Sequence, residues 1–256
     1  MDPIRCFNGQ AKPFTKFWNI REGFDSDGDP TEPEIELYGI ISEYSWFDDD
    51  VTPQMFKDDL NEIGAGGPVT IRINSEGGDV IAASVIRSIL TDYPGRITTR
   101  IDGLAASAAV AIALAGDRVW IQDSAYIMIH EPWIGVFWAI LDIQTLKRMT
   151  DSLMAIRAGL VDLYMRKTGL SEDRVKRMLA EETWLSAREA HTLGFVDNVL
   201  EPTTTEDRGL TVNDSVMALY KNIPSGIKNK LHTHGDNELS ESEKVLLDEC
   251  KILMEA

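Results

Sequence analysis

The sequence predicts an α/β fold, and two observations carry that prediction. Strand-like and helix-like stretches alternate through the middle of the chain. Two β-branched runs, residues 69–73 and 97–101, each pass through a small-residue turn into an apolar helical segment. No apolar run reaches the roughly 18 residues that a membrane span would need.

Residues 1–33 read as an irregular polar segment. Within it, Asp25-Ser-Asp-Gly-Asp-Pro superficially matches a calcium loop. Its glycine, however, falls at the fourth position instead of the sixth, and no glutamate closes the loop, so a solvated acidic turn is expected and no metal. Residues 34–41 open with strict alternation and form the first expected strand. Met55, Phe56, Leu60 and Ile63 have helical spacing over 54–63, and Gly64-Ala-Gly-Gly-Pro ends that helix. The strand 69–73 enters Asn74-Ser-Glu-Gly-Gly-Asp and a helix over 80–90. Pro94-Gly95 turns the chain into the strand 97–101. Gly103-Leu-Ala-Ala-Ser-Ala-Ala follows, opening an alanine-rich helix over 108–115. Short strands over 118–121 and 125–129 lead to His130.

A long helix over about 142–167 stops at Gly169 and a shorter one covers 172–180. Ser186 is an N-cap whose capping box Glu189 completes. A last strand over 195–199 closes a compact domain of residues 34–200. Residues 201–256 form a polar linker with one short helix near 216–221, then a terminal helix opened by Ser240-Glu-Ser-Glu. His232 and His234 fall in the linker and read as solvated.

Composition narrows the function. The 256 residues carry a formal net charge of −17, against the basic footprint of a nucleic-acid binder and against adsorption to anionic lipid. Cys6 and Cys250 are too few and too far apart for a disulfide framework or a metal cluster and fit a reducing compartment. The N-terminus lacks the apolar core of a secretory signal, so a cytoplasmic location is expected.

Four pieces carry candidate chemistry, and each has an ordinary structural explanation when viewed alone. Gly77-Gly78 sits in a strand-to-helix turn, where glycine allows positive φ and close approach of a ligand. Ser107 sits at the start of a helix, either as an N-cap or as a nucleophile beside unpartnered N–H groups. His130 ends an apolar strand, either as a core histidine or as a base. Glu181-Glu182 precede Thr-Trp-Leu-Ser-Ala, either as a solvated face or as the source of an orienting acid. Together they supply a hydroxyl, a base, an acid and paired N–H donors, the parts of nucleophilic acyl transfer.

In order, Ile73-Asn-Ser-Glu-Gly-Gly-Asp, Gly103-Leu-Ala-Ala-Ser-Ala-Ala, Met128-Ile-His-Glu-Pro and Trp184-Leu-Ser-Ala-Arg-Glu-Ala resemble the signatures of the ClpP-type serine peptidases. The resemblance spans roughly residues 34–199, and its wording is most similar to the phage and prophage head-maturation branch. It implies the ClpP/crotonase superhelix of ββα units with a protruding handle helix. It implies Ser107 as nucleophile, His130 as base and Glu182 as acid, with Glu181 and Asp197 as rivals for the acid. The backbone N–H groups of Gly78 and Ala108 would form the oxyanion hole. Gly77, Asp79, Val80, Pro132 and Trp133 would border the substrate groove. No metal or organic cofactor is implied. The implied partners are a polypeptide substrate, further copies in a homo-oligomeric ring, and capsid or scaffold proteins or an AAA+ unfoldase.

Two departures stand out. Glu182 occupies a position where the family usually has aspartate. Residues 134–141, with Phe137 and Trp138 beside Trp133, replace a glycine-containing loop. Two further readings are open: a crotonase-like enzyme binding coenzyme A, which would not need Ser107 and His130 together, and a non-catalytic ring or scaffold protein. A Ser-Lys peptidase is disfavoured because His130 already supplies a base.

Overall fold

Alternation along the strands dictates one mixed sheet with helices packed over it. A computed structural model describes residues 18–21, 31–41, 53–135, 140–201, 217–225 and 227. The strands are β1 (Trp18–Arg21), β2 (Glu34–Ile41), β3 (Val69–Gly78), β4 (Ile97–Ala106), β5 (Arg118–Gln122), β6 (Tyr126–Ile129), β7 (Thr183–Ser186) and β8 (Asn198–Leu200). The helices are α1 (Pro53–Gly64), α2 (Val80–Asp92), α3 (Ala108–Ala113), α4 (Ile143–Thr168), α5 (Glu172–Ala180) and α6 (Ala187–Thr192).

The sheet order is β1-β2-β3-β4-β5-β8, with β6 paired to β4 and β7 paired to β6. Strands β2 through β5 run parallel, each joined to the next through a helix, as the alternating pattern requires. Ile35, Ile71, Ile73, Ile101 and Ile121 are buried in the main core, where α2 and α3 contribute Ile86, Leu90 and Ile112.

The long strand β4 has two neighbours on one side. Its first half pairs with β5, Thr98 opposite Arg118, and its second half pairs with β6, Ala106 opposite Met128. A turn closed by the Ala125 N–H to the Gln122 carbonyl breaks β5 from β6 and swings the latter to the end of β4. Strand β7 then lies antiparallel on β6, Ile129 opposite Thr183.

The caps follow the expected chemistry. Ser186 and Glu189 form a reciprocal capping box, and Gly169 ends α4 in the left-handed region. Asp142 caps the other end of α4 by accepting the Thr145 N–H. Ile140, just before α4, and Ile143, Leu146 and Met154 in its first half are exposed. No helix among the described residues is long and apolar enough to cross a membrane.

Three expectations change. Residues 18–21, expected to be irregular, form β1; Trp18 is buried against Phe56 (ring centroids 5.5 Å) and its Nε1 donates to Asp59 at 2.7 Å. Residues 183–186, read only as the approach to a helix, form β7, because the Thr-Trp-Leu-Ser run has an open edge of β6 to pair with. Part of the expected linker is docked. Met217, Tyr220 and Ile227 are buried in a second apolar cluster with Leu104, Ala106 and Met128. The calcium-like loop, Phe137, Trp138, both cysteines, His232, His234 and the expected terminal helix lie outside the described residues.

Trp18→Ala is expected to destabilise the fold by about 3–5 kcal/mol, the usual cost of deleting a buried tryptophan. Urea unfolding measures it, and a change near zero would mean that β1 contributes nothing to the core.

Candidate active site

The register described above decides which side chains meet. The strand pairing of Ala106 with Met128 continues one residue further, where the Ser107 N–H donates to the Met128 carbonyl at 2.8 Å. His130, two residues beyond Met128, is thereby carried alongside Ser107. Ser107 Oγ and His130 Nε2 lie 2.8 Å apart, in direct hydrogen-bond contact.

Ser107 adopts φ +53° and ψ −122°, a conformation uncommon for any residue with a Cβ. Such strain is found at functional turns that must project a side chain. The serine stands at the N-cap position of α3, yet its side chain makes no capping hydrogen bond. The hydroxyl is turned to His130 instead, which decides against the N-cap alternative. The helix it opens is short, ending at Ala113 and not at 115. The Ala108 N–H lies in its first turn, where a helix has no acceptor of its own.

Gly77 and Gly78 lie across from this turn, with φ +97° and +138°. A Cβ on Gly77 would sit 2.8 Å from Ser107 Cβ and 3.2 Å from the Ala108 nitrogen, and one on Gly78 would sit 2.1 Å from the Ile41 carbonyl oxygen. Both positions therefore require glycine, for space as well as for φ. The preceding residues hold the turn: Asn74 Oδ1 accepts the Leu104 N–H at 3.1 Å, and Ser75 Oγ accepts the Gly77 N–H at 3.1 Å. These two roles went unread in the sequence, although polar residues at the end of an apolar strand were the available signal.

Glu182 reaches the site through β7. With Ile129 opposite Thr183, the next antiparallel step sets Glu182 across from His130. Its φ is +51°, a second strained non-glycine residue. Among the described residues no hydrogen bond joins its carboxylate to His130. Oε1 accepts from Trp184 Nε1 at 3.2 Å and from the Asn222 N–H at 2.7 Å, while Oε2 accepts from the Lys221 N–H at 2.9 Å. The charge still reaches the imidazole. Burial holds the His130 pKa below its ordinary value, and the negative charges of Glu182 and Glu131 oppose that shift. Glu131 is anchored to α4 by Arg157 at 2.7 Å.

The rivals for the acid lie elsewhere. Asp197 accepts the Val119 N–H and pairs with Lys167, each at 2.7 Å, beside β5 and β8. Glu181 is exposed at the end of α5.

Beside Ser107 and His130 opens a cleft walled mainly by apolar groups, among them Val80, Ala83, Ala111, Pro132, Leu160 and Tyr164. Two of the expected groove residues, Val80 and Pro132, line it. Trp133 is half exposed, with its ring 6.2 Å from that of His130. Asp79 is committed elsewhere: its carboxylate caps α2 by accepting the Ile81 and Ala82 N–H groups. Among the described residues no group of three or more His, Cys, Asp or Glu side chains is placed to hold a metal ion.

Tyr220 is a further residue that sequence reasoning missed. Its ring meets His130 edge-on, with centroids 5.4 Å apart and planes at 73°. Its hydroxyl donates to the Glu76 carbonyl at 2.7 Å. Burial pushes the phenol pKa up, so it stays a neutral donor.

This geometry sits inside a stretch that known proteins share. Residues 39–203 match the family model described as Clp protease. The chain is 31% identical over 139 residues to the ATP-dependent Clp protease proteolytic subunit 1 of Chlamydia muridarum, covering 53% of this chain and 71% of that relative. It is 30% identical over 137 residues to the corresponding subunit 2 of Thermobifida fusca, covering 53% and 66%. A solved structure of a ClpP1 variant from Listeria monocytogenes shares the fold, with a TM-score of 0.57 at 22% identity over 66% of this chain and 91% of that one. The family match spans most of the chain and encloses the glycine turn, Ser107, His130 and Glu182: the chain belongs to the Clp protease family.

Proposed function

We propose that the protein is a serine endopeptidase in which Ser107 is the nucleophile, His130 the general base and Glu182 the acid. The observation that carries this reading is the 2.8 Å contact between Ser107 Oγ and His130 Nε2 at a strained strand-to-helix turn.

The peptide would lie against the apolar cleft with its carbonyl carbon at Ser107 Oγ. As Oγ forms its bond to that carbon, the proton passes to His130 Nε2 and the carbonyl electrons move onto oxygen. The oxyanion is held by the N–H groups of Gly78 and Ala108, fixed in place before the reaction begins. The tetrahedral adduct collapses by expelling the amine, which takes the proton from Nε2, and leaves an acyl ester on Ser107. Water then attacks the ester, its proton going to Nε2 and on to the departing serine oxygen. Glu182, across from the ring, stabilises the imidazolium present in each half-reaction. These steps need neither a metal nor an organic cofactor.

The motif wording around Ser107 and Trp184 resembles the phage and prophage branch and supports scaffold or head proteins as the substrate. The relatives' name, ATP-dependent proteolytic subunit, supports a second reading in which an AAA+ unfoldase delivers the polypeptide. Exposed apolar residues at the start of α4 support assembly into a homo-oligomeric ring.

Ser107→Ala and His130→Ala are each expected to lower kcat/KM for a fluorogenic peptide by on the order of 10³-fold or more. Retained hydrolysis in Ser107→Ala would overturn the reading, and a folded wild-type oligomer without hydrolysis would favour a non-catalytic scaffold.

Activity should rise with pH as His130 loses its proton, with a midpoint below the ordinary histidine value of about 6.5. Glu182→Gln removes a negative charge that favours the imidazolium, so the midpoint should move lower still and kcat should fall by roughly 10²-fold. A midpoint unmoved by Glu182→Gln would remove Glu182 from its role.

A further inference from the structure

We propose that residues 217–225 are part of the catalytic site, with Tyr220 positioning His130 and the backbone amides of Lys221 and Asn222 positioning Glu182. This rests on the serine-peptidase reading above and extends it to a segment that lies beyond the residues matching the family model.

The first ground is contact. One short segment meets both the base and the acid: Tyr220 packs on His130, and Lys221 and Asn222 donate to Glu182. The Tyr220 hydroxyl also bonds the Glu76 carbonyl, directly before Gly77-Gly78, so one side chain bridges the base and the glycine turn. The Asn222 side chain closes the attachment by donating to the Glu181 carbonyl at 2.9 Å.

The second ground is the need. Glutamate has one more rotatable bond than aspartate, and an acid on a longer stem loses orientation unless it is tied down. Here Trp184 Nε1 and two backbone amides of the segment fix both carboxylate oxygens.

The third ground is placement. The cleft beside Ser107 is walled by α2, α3, α4 and the residues after β6, and no residue of 217–225 lines it. The segment is instead rooted in the second apolar cluster, on Leu104, Ala106 and Met128, with the Trp184 and Tyr220 rings 6.0 Å apart. It therefore supports the pair and leaves the cleft open.

Among the described residues the charged and titratable groups facing the imidazole are Glu182 at the α5–β7 corner, Glu131 in its own loop, paired with Arg157 of α4, and the neutral Tyr220 phenol. Lys221 beside them is exposed. Tyr220 is the shield among these, and its loss would hydrate the ring.

The test is the rate of Ser107 labelling by a fluorophosphonate, measured against pH on the full chain for wild type, Tyr220→Phe, Tyr220→Leu and Tyr220→Ala. Tyr220→Phe keeps the ring and should keep the midpoint. Tyr220→Ala should label on the order of 10- to 100-fold more slowly, as expected for a misplaced catalytic group, with its midpoint raised toward 6.5. Tyr220→Leu keeps apolar bulk for the second cluster and should show the same two changes if Tyr220→Ala fails to fold. Faster labelling in Tyr220→Ala or Tyr220→Leu would mean that the segment obstructs the site, and unchanged rates and midpoints would make it a bystander; either result overturns the proposal. Wild type that is not labelled at Ser107 would instead sink the serine-peptidase reading itself.

Discussion

The pairing of β6 with the far half of β4 is the constraint on which the site depends. Parallel strands that merely followed one another would leave Ser107 and His130 at unrelated heights. Because β4 gives its first half to β5 and its second half to β6, the Ser107 N–H finds the Met128 carbonyl and His130 arrives beside the hydroxyl. The same edge of β6 takes β7, and with it Glu182. One ladder thus brings together three residues separated by up to 75 positions, from Ser107 to Glu182.

Much of this was legible. The β-branched runs at 69–73 and 97–101, the stop at Gly169 and the capping box at Ser186 each follow from local chemistry, although β3 and β4 run on to Gly78 and Ala106, through residues that read as turns. What local chemistry does not encode is pairing. Trp18-Asn-Ile-Arg is too short to read as a strand without knowing that β2 offers an edge and that Phe56 and Asp59 await its indole. Thr183–Ser186 resembles the approach to a helix until β6 presents itself. Tyr220 stands in a polar, turn-rich stretch, and its burial depends on Leu104, Ala106 and Met128 forming an apolar face on a distant part of the sheet.

Glu182, where the resemblance implies an aspartate, is held by its backbone and by its neighbours. Its backbone sits at positive φ and its carboxylate is tied by Trp184 and by amides some 40 positions further along. Its charge is felt at His130, across from the ring, while its hydrogen bonds go to Trp184 and to residues 221 and 222. The two glycines before α2 show the opposite case. There the constraint is local and steric, and it was readable as soon as two adjacent glycines met a strand end.

The central claim is that Ser107 is a nucleophile activated by His130. The most direct measurement is intact mass followed by peptide mapping after treatment of the purified protein with a fluorophosphonate. The account predicts a single adduct on the peptide that contains Ser107, abolished in Ser107→Ala. An adduct that survives Ser107→Ala, or maps to another residue, would contradict it.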